Sequence, residues 1–221
     1  MVDFVALKLT VQLAGATTVI LGVVGVPLAY WLAQSRWRGK FLVESVITLP
    51  LVLPPTVLGF YLLLALGPRS PIGKLWDGLV GSPLPFSFPG ILLASLIANL
   101  PFAVRPFLAA FVGLNRRWLE ASWCLGESYG RTFWRVTLPV CWPGILSGLV
   151  LTFAHSVGEF GVVLMVGGNI PEVTRTLSIS LYDDVQALDY GAAQRTAAGL
   201  LAFSLLVLCS THLLGRRGMP L

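Results

Sequence analysis

Long apolar stretches alternate with short polar connections along almost the whole chain. A helix needs about 20 apolar residues to cross the hydrocarbon core of a bilayer. Five stretches reach that length, at residues 9–33, 41–66, 89–114, 143–166 and 192–214. Their continuity favours helices over buried strands. The pattern therefore predicts an all-α polytopic membrane protein with about five transmembrane helices, forming a single domain over residues 1–221.

Proline interrupts the second apolar stretch at Pro50, Pro54 and Pro55. Each proline removes a backbone donor, so we expect this span to be kinked or broken near its middle. The freed carbonyl groups then need cover from neighbouring helices or from a water-filled cavity. Two of the connections, around residues 72–79 and 177–185, carry patterns that predict short helices at the membrane surface.

Composition supports the membrane class and excludes several others. Hydrophobic residues make up 56% of the chain and charged residues 11%, whereas soluble domains carry about 25% charged residues. Cys124, Cys141 and Cys209 are isolated, so they predict neither a disulfide framework nor a metal site. No catalytic constellation and no P-loop occur, so we expect a chain that is not an enzyme by itself. The net charge of +5 does not indicate a nucleic-acid partner, because the basic residues flank apolar spans.

Lysine and arginine are distributed unevenly between the two sets of connections, and the richer set usually faces the cytoplasm. One set holds nine, at Arg36, Arg38, Lys40, Arg116, Arg117, Arg131, Arg135, Arg216 and Arg217. The other set holds five, at Lys8, Arg69, Lys74, Arg175 and Arg195. The first set is therefore predicted to be cytoplasmic, with the N-terminus outside and the C-terminus inside.

Four polar residues inside the spans are candidates for a translocation path or gate. Arg105 lies near the bilayer midplane by residue count, where a charge is costly unless it is paired or hydrated. His155 and Glu159 are four residues apart and share one helix face, with Ser156 beside them. The structural alternatives are an ion pair or a shallow position for Arg105, a hydrogen-bonded buried carboxyl for Glu159, and a packing role for His155.

Residues 116–139 form the one long polar interruption in this apolar chain. An apolar stripe recurs at helical spacing, at Trp118, Ser122, Leu125, Tyr129 and Phe133. Glu127 and Arg131 are spaced as a favourable ion pair, and Gly126 permits a bend between two short helices. Such a segment fits a groove on a partner protein, although an amphipathic helix on the lipid surface has the same composition.

The sequence EASWCLG, followed by nine residues and then VTLP, resembles the E-A-A-x3-G-x9-I-x-L-P motif of ABC importer permeases. Glu120, Ala121, Gly126, Leu138 and Pro139 match the motif, while Ser122 and Val136 depart conservatively. In that family the motif forms a coupling helix seated on an ATPase subunit. The resemblance implies ATPase-coupling roles for Glu120, Ala121, Ser122, Leu125, Gly126, Leu138 and Pro139.

The resemblance covers essentially the whole chain and implies the type I ABC importer fold. It further implies a homodimer in a bacterial cytoplasmic (inner) membrane, with two ABC ATPase subunits below it and a soluble periplasmic or extracellular oxyanion-binding protein outside. ATP and magnesium would bind the ATPase subunits, and this chain would hold no cofactor or metal of its own. Transport would follow alternating access.

The stretch SVGEFGVVLMVGGNIPEVTRT resembles molybdate permease subunits and, less closely, sulfate permeases. Molybdate members tend to read NIPGETRT, whereas this chain has Glu172 and Val173 at the Gly and Glu positions. Because the stretch as a whole resembles the molybdate members more closely, we expect a molybdate permease in spite of these two departures. The alternatives are a sulfate or tungstate permease or, in a different class, a secondary transporter or channel that needs no ATPase.

Overall fold

The computed structural model describes the backbone of residues 3–217 and the side chains of residues 3–209. Over that range the chain is helical and forms no strand, so the all-α prediction is confirmed. The helices are α1 (Phe4–Gln34), α2 (Lys40–Val52), α3 (Pro55–Leu66), α4 (Pro71–Val80), α5 (Phe88–Val112), α6 (Arg116–Cys124), α7 (Tyr129–Thr132), α8 (Leu138–Gly158), α9 (Gly161–Gly167), α10 (Leu177–Gln186) and α11 (Tyr190–Arg217). A π-helix at Phe133–Thr137 joins α7 to α8. The prediction that the N-terminus lies outside and the C-terminus inside concerns the two ends of the chain, which lie outside the described residues.

Four helical stretches within the described residues are long and apolar enough to cross a membrane. They are α1, α5, the continuous stretch from α7 to Gly158, and α11 up to Cys209. The pair α2 and α3 passes the same test together and turns by 116°, so it makes a fifth span where the bent pair is counted as one. Leu53 and Pro54 both precede a proline, which disfavours helical backbone, and both are extended. The predicted break in the second span is confirmed.

Helices α1, α5 and α8 pack against one another and form the centre of the bundle. Phe107 of α5 is fully buried there, with Gly25 of α1 on one side of its ring and Gly148 of α8 on the other. Large apolar side chains such as Val19, Val23 and Leu206 are exposed on the outside of the bundle. Outward apolar side chains around a helical core suit a lipid environment.

Short helices lie in the two long connections, as predicted from the sequence. α4 begins after Ser70, whose Oγ accepts a hydrogen bond from Gly73 N at 2.8 Å, and Pro71 occupies its first turn. α10 covers the second predicted segment and packs against α11, α1 and α8.

The fourth predicted span, residues 143–166, is not one continuous helix, and that prediction is wrong. α8 begins earlier, at Leu138, and ends at Gly158. Glu159 has extended backbone angles, and its Oε1 accepts a hydrogen bond of 3.4 Å from Val162 N in the first turn of α9. Glu159 precedes Phe160, the N-cap residue of α9, and its carboxylate pairs with an otherwise free N–H group of the new helix, which stabilises the break at these two residues.

Candidate functional site

Segment 116–139 folds as the short helix α6, a tight turn, and the α7 and π-helical turns that continue without a break into α8. Gly126 has φ of 81°, a left-handed conformation that glycine adopts without strain. The turn closes with a hydrogen bond of 2.9 Å from Gly126 N to Trp123 O. The bend predicted at Gly126 is confirmed.

Hydrogen bonds between nearby residues fix this two-helix unit. Asn115 caps the start of α6 and Ser128 caps the start of α7, each through a side-chain oxygen. Across the turn, Ser122 Oγ and Thr132 Oγ1 lie 2.9 Å apart in a buried contact. The shape of the unit therefore depends on residues that are close in the sequence.

Glu127 pairs with two arginine side chains on the surface of the segment. Its carboxylate oxygens lie 3.2 Å from Arg131 Nη1 and 3.2 Å from Arg135 Nη1. The predicted pair of Glu127 with Arg131 is confirmed, and Arg135 is an addition. Both arginine side chains are largely exposed, so each pair stabilises the fold by no more than about 1 kcal/mol.

The single apolar stripe predicted along this segment is wrong. Trp118, Leu125 and Tyr129 are exposed, with Leu125 at 85%, whereas Ser122 is buried and Phe133 is half-buried. The turn at residues 125–128 interrupts the helical register, so the five positions do not share one face. The exposed aromatic and leucine side chains are nonetheless available to a partner.

The residues of the E-A-A-like motif divide between surface and interior. Glu120, Ala121, Leu125 and Gly126 are exposed. Ser122 is buried against α7, Leu138 is half-buried at the start of α8, and Pro139 is exposed in the next position. The exposed members lie in α6 and the turn that follows it.

The segment is joined to the bundle through the π-helix. Leu138 N donates to Phe133 O across this wider turn. The Phe133 ring lies 4.8 Å from the ring of Tyr30 in α1, which in turn lies 5.4 Å from Phe111 in α5. π-Helical turns are rare and occur frequently at functional sites. The aromatic contacts connect the segment directly to α1 and, through Tyr30, to α5.

A cavity of about 740 Å³, here named the histidine cavity, lies where the two helix breaks meet. The α2/α3 break, the α8/α9 break and α5 supply its walls. Gly161 lies so close to Pro55 that a Cβ atom added at Gly161 would come within 2.7 Å of Pro55 Cβ. His155 and Glu159 are the ionisable residues of its lining. Irregular backbone is tolerated at membrane depth where it lines a cavity or is covered by protein.

His155 is tied into a chain of hydrogen bonds that crosses three helices, here named the polar chain. His155 Nδ1 lies 3.0 Å from Asn99 Oδ1. Asn99 Nδ2 donates to Ser95 O at 2.9 Å, and Thr17 Oγ1 donates to Ser95 Oγ at 3.0 Å. Thr17, Ser95 and Asn99 are completely buried. The imidazole also stacks on the Phe102 ring, with the centroids 3.7 Å apart.

Glu159 and Ser156, the neighbours of His155, are both buried. Glu159 Oε2 lies 3.7 Å from His155 Nδ1, so the predicted proximity of these two residues is confirmed, although Glu159 lies just beyond the end of α8. Ser156 is 2% exposed, does not line the histidine cavity, and its Oγ has no hydrogen-bond partner among the described residues.

Arg105 lines a second cavity of about 460 Å³, here named the arginine cavity, together with Glu44, Ser45 and Thr48 of α2. The side chain of Arg105 is exposed and forms no ion pair among the described residues. Because α5 runs from Phe88 to Val112, Arg105 lies about 7 Å from the helix midpoint, toward the end that leads into segment 116–139. The midplane position of Arg105 stays a prediction, and Arg105 does not line the histidine cavity.

Sequence reasoning missed Thr17, Ser95 and Asn99. Ser95 and Asn99 are four residues apart in an apolar span, so their spacing could have indicated a polar face on α5. Thr17 carried no such signal, because threonine is common in membrane helices and often bonds to its own backbone, as Thr18 does to Ala14 O. Among the described residues, no group of three His, Cys, Asp or Glu side chains could hold a metal ion.

Comparison with known proteins identifies close relatives. The family described as "Binding-protein-dependent transport system inner membrane component" matches residues 25–217. The chain is 50% identical over 210 residues to "Molybdenum transport system permease protein ModB" of Azotobacter vinelandii, covering 95% of this chain and 93% of the relative. The protein of the same name in Escherichia coli K12 is 39% identical over 162 residues, covering 73% and 71%. A "Probable sulfate transport system permease protein cysT" of Chlorokybus atmophyticus is 33% identical over 199 residues, covering 90% and 69%.

Solved structures with the same fold share little sequence with this chain. A chain of the inward-facing MetNI methionine ABC transporter superposes with a TM-score of 0.73 at 16% identity, covering 97% of this chain and 95% of that one. A chain of a bacterial ABC transporter that imports alginate gives a TM-score of 0.66 at 15% identity, covering 97% and 78%. At these identities the likeness establishes the fold, which is that of the type I ABC importer permeases.

Proposed function

The chain belongs to the binding-protein-dependent transport system inner membrane components, and from this premise we propose that it is the permease subunit of an ATP-driven importer for molybdate. The observation that carries the proposal is the 50% identity to a molybdenum permease over 95% of the chain. The sulfate permease relative is less similar, at 33% identity. The departure at Glu172 and Val173 from the usual molybdate pattern lies in one loop and leaves this ranking unchanged.

The experiment for the substrate is uptake of radiolabelled molybdate into vesicles that contain this permease, its ATPase and its binding protein. We expect ATP-dependent accumulation of molybdate that excess unlabelled sulfate inhibits weakly. Accumulation of labelled sulfate instead would reassign the chain to sulfate transport, and uptake without ATP would remove it from the ATP-driven class. Tungstate, a tetrahedral dianion like molybdate, is the stringent competitor.

Segment 116–139 is the proposed docking element for the ATPase subunits, which bind ATP and magnesium. Support comes from the exposure of Glu120, Ala121, Leu125 and Gly126 together with the E-A-A-like spacing. An exposed short helix with apolar side chains suits a groove on a partner. Replacement Glu120→Lys should abolish co-purification of the ATPase while membrane insertion continues. Glu172→Lys makes the same charge change on the external loop and serves as the control.

A homodimer is proposed from the exposed break between α2 and α3. Leu51, Val52, Pro54 and Thr56 are exposed in the single chain, and so is the irregular backbone around them. Open backbone of this kind is not stable against lipid. A second copy covering this face would exclude lipid and leave the histidine cavity beside the shared axis. Cross-linking through cysteine introduced at Val52 is expected to give a covalent dimer in the membrane, and only monomers would contradict the arrangement.

The proposed mechanism is alternating access, with segment 116–139 on the cytoplasmic side and an oxyanion-binding protein on the other. ATP brings the ATPase subunits together, the docked segments move with them, and the pathway opens outward. Hydrolysis resets the inward-facing state. Each state must be favoured by its own ligand contacts, because otherwise ATP and substrate are not coupled.

Arg105, His155, Ser156 and Glu159 are the proposed path or gate residues. His155 and Glu159 line the histidine cavity and Arg105 lines the arginine cavity, so the proposed path has two places with polar side chains. An ionised Glu159 would repel an anion, so its role is to fix the α8/α9 break and to gate. Replacement Glu159→Gln should lower transport without loss of assembly. Unchanged transport and assembly would remove Glu159 from the path.

A further inference from the structure

The hydrogen bonds of the polar chain determine which nitrogen of His155 carries a proton. Ser95 O is a carbonyl oxygen and can only accept, so the Asn99 amide must turn its Nδ2 toward Ser95. Asn99 Oδ1 therefore points to His155 and accepts from His155 Nδ1–H over 3.0 Å. The second acceptor near the same nitrogen is Glu159 Oε2 at 3.7 Å. Both neighbours favour a proton on Nδ1.

Fixing the proton on Nδ1 leaves Nε2 as the group that His155 offers to the histidine cavity. The side chain is 36% exposed, and Nε2 makes no hydrogen bond within the described part of the chain. Phe102 covers one face of the ring, where an aromatic face favours a cationic imidazolium. His155 is therefore held in one orientation by Asn99 and Phe102, and its second nitrogen is left without a hydrogen-bond partner among the described residues.

We infer that His155 is the anion-contacting residue of the histidine cavity, that it binds a tetrahedral oxyanion through Nε2–H as an imidazolium, and that Asn99 is its positioning residue. This inference rests on the proposed function. A fully ionised tetraoxoanion offers only acceptors, so neutral His155, with Nε2 unprotonated, has no donor for it. Nε2 takes up a proton from the solvent (a hydronium ion, which becomes water) when the anion arrives, and it returns that proton to the solvent when the anion leaves.

Charge in the cavity supports this assignment. His155 and Glu159 are the ionisable residues of the lining, and no other charged or titratable side chain of the described helices contributes to it. Arg105 of α5 and Glu44 of α2 line the arginine cavity instead. His155 is the residue of this lining that can carry positive charge, whereas an ionised Glu159 would oppose an anion, so a dianion in the histidine cavity depends on His155 for compensating charge and on a neutral Glu159. The class of ligand is a dianion without protons, in contrast to a hydroxylated anion that could donate to neutral Nε2.

Two replacements of similar size separate the roles of the two nitrogens. In His155→Asn the amide takes the place of Nδ1, so the link to Asn99 can persist while the donor to the cavity is lost. In His155→Gln the longer side chain places an amide near the position of Nε2, so the donor to the cavity is restored. Uptake of labelled molybdate and thermal unfolding are measured for both, in the full complex with its ATPase and binding protein.

The inference predicts that His155→Gln transports faster than His155→Asn, because it restores the donor to the cavity. It also predicts that His155→Asn unfolds at the higher temperature of the two, because it keeps the link to Asn99. His155→Asn should lower the uptake rate about tenfold or more, the scale expected for losing a hydrogen bond to a charged group. His155→Gln should keep most of the uptake, and the ratio of wild-type to His155→Gln uptake should fall as pH rises, because only histidine must gain a proton. If His155→Asn transports normally and His155→Gln does not, His155 has a packing role only and the inference is overturned.

Asn99→Leu tests the positioning role. On its own it should lower uptake, because His155 loses the acceptor that fixes its orientation. Added to His155→Gln it should lower uptake no further, since Asn99 acts through His155. If the loss of uptake in the double variant equals the product of the losses in the two single variants, Asn99 does not act through His155 and the positioning role is contradicted. If the wild-type complex takes up no molybdate, the proposed function itself is wrong. If the wild-type complex takes up molybdate and the His155 variants do so equally well, only this inference is wrong.

Discussion

Segment 116–139 and the polar chain are both polar regions of an apolar protein, but they are built in opposite ways. In the segment, Glu127 reaches partners four and eight residues away, and the aromatic side chains around it are exposed. In the polar chain, Thr17 and Ser95 are 78 residues apart and Asn99 and His155 are 56 apart, with their contacts deep in the bundle.

This difference separates a surface that can receive a partner from an interior that positions one group. The exposed side chains of the segment have few contacts to lose, so changes there should affect binding more than folding. The polar chain joins α1, α5 and α8, so changes there should affect packing and transport together. Variants of each region, ordered from the largest expected effect, test that separation.

Gly126→Val should produce the largest effect, in the segment alone. Valine is strained at a φ of 81°, at a cost of about 1–2 kcal/mol for an L-residue, and the turn between α6 and α7 should open. Co-purification of the ATPase should fall about tenfold or more. Gly130→Ala is the matched control, because a Cβ at Gly130 would meet no atom within 4 Å. Equal losses in both variants would contradict the turn as the cause.

Gly161→Val should reduce transport and leave ATPase binding unchanged. The added side chain would collide with Pro55 and force the two helix breaks apart, since even a Cβ comes within 2.7 Å of Pro55 Cβ. Gly158→Ala lies in the lining of the same cavity and meets no atom within 4 Å. Uptake of labelled molybdate, with ATPase co-purification alongside, distinguishes the two. Loss of ATPase binding in Gly161→Val would show that the two regions are not separable.

Thr17→Val should lower stability by about 0.5–1.5 kcal/mol, the contribution of one hydrogen bond between neutral groups. The replacement preserves the side-chain shape and removes the donor to Ser95 Oγ. Thr18→Val removes a hydroxyl that bonds only within α1, to Ala14 O, and should cost less. Thermal unfolding in detergent measures both, and equal shifts would mean that the link between helices adds nothing.

Glu127→Gln should have the smallest effect. It weakens two exposed ion pairs, each worth less than about 1 kcal/mol and screened by salt. ATPase co-purification at low salt should fall by less than about twofold and should match wild type at high salt. A large loss that persists at high salt would make Glu127 a direct contact with the ATPase.

The sequence predicted features whose causes are local. These features are the five apolar stretches, the proline break near the middle of the second span, the bend at Gly126 and the pair of Glu127 with Arg131. Each depends on neighbours in the chain. A glycine or a proline acts on its own backbone, and an ion pair four residues apart needs only helical spacing. These features were therefore available before the fold was known.

Features that depend on tertiary packing were not available. At the α8/α9 break, the Glu159 carboxylate accepts a hydrogen bond from the first turn of the next helix, and the hydrophobic pattern gives no sign of this contact. The partner of His155, Asn99, lies on another helix. Hydrophobic pattern assigns residues to spans, but it does not say which polar groups of different spans meet.

The distances along the chain between hydrogen-bonded residues also bear on how such a protein can change through evolution. Asn115, Ser128 and the charges around Glu127 lie within about twenty residues, so recombination can pass the whole docking unit between related genes in one short exchange. The hydrogen bonds of Thr17, Ser95, Asn99 and His155 depend on three separated parts of the gene. A change at one of those positions needs matching changes in distant parts of the gene, whereas the contacts that shape segment 116–139 can be exchanged together.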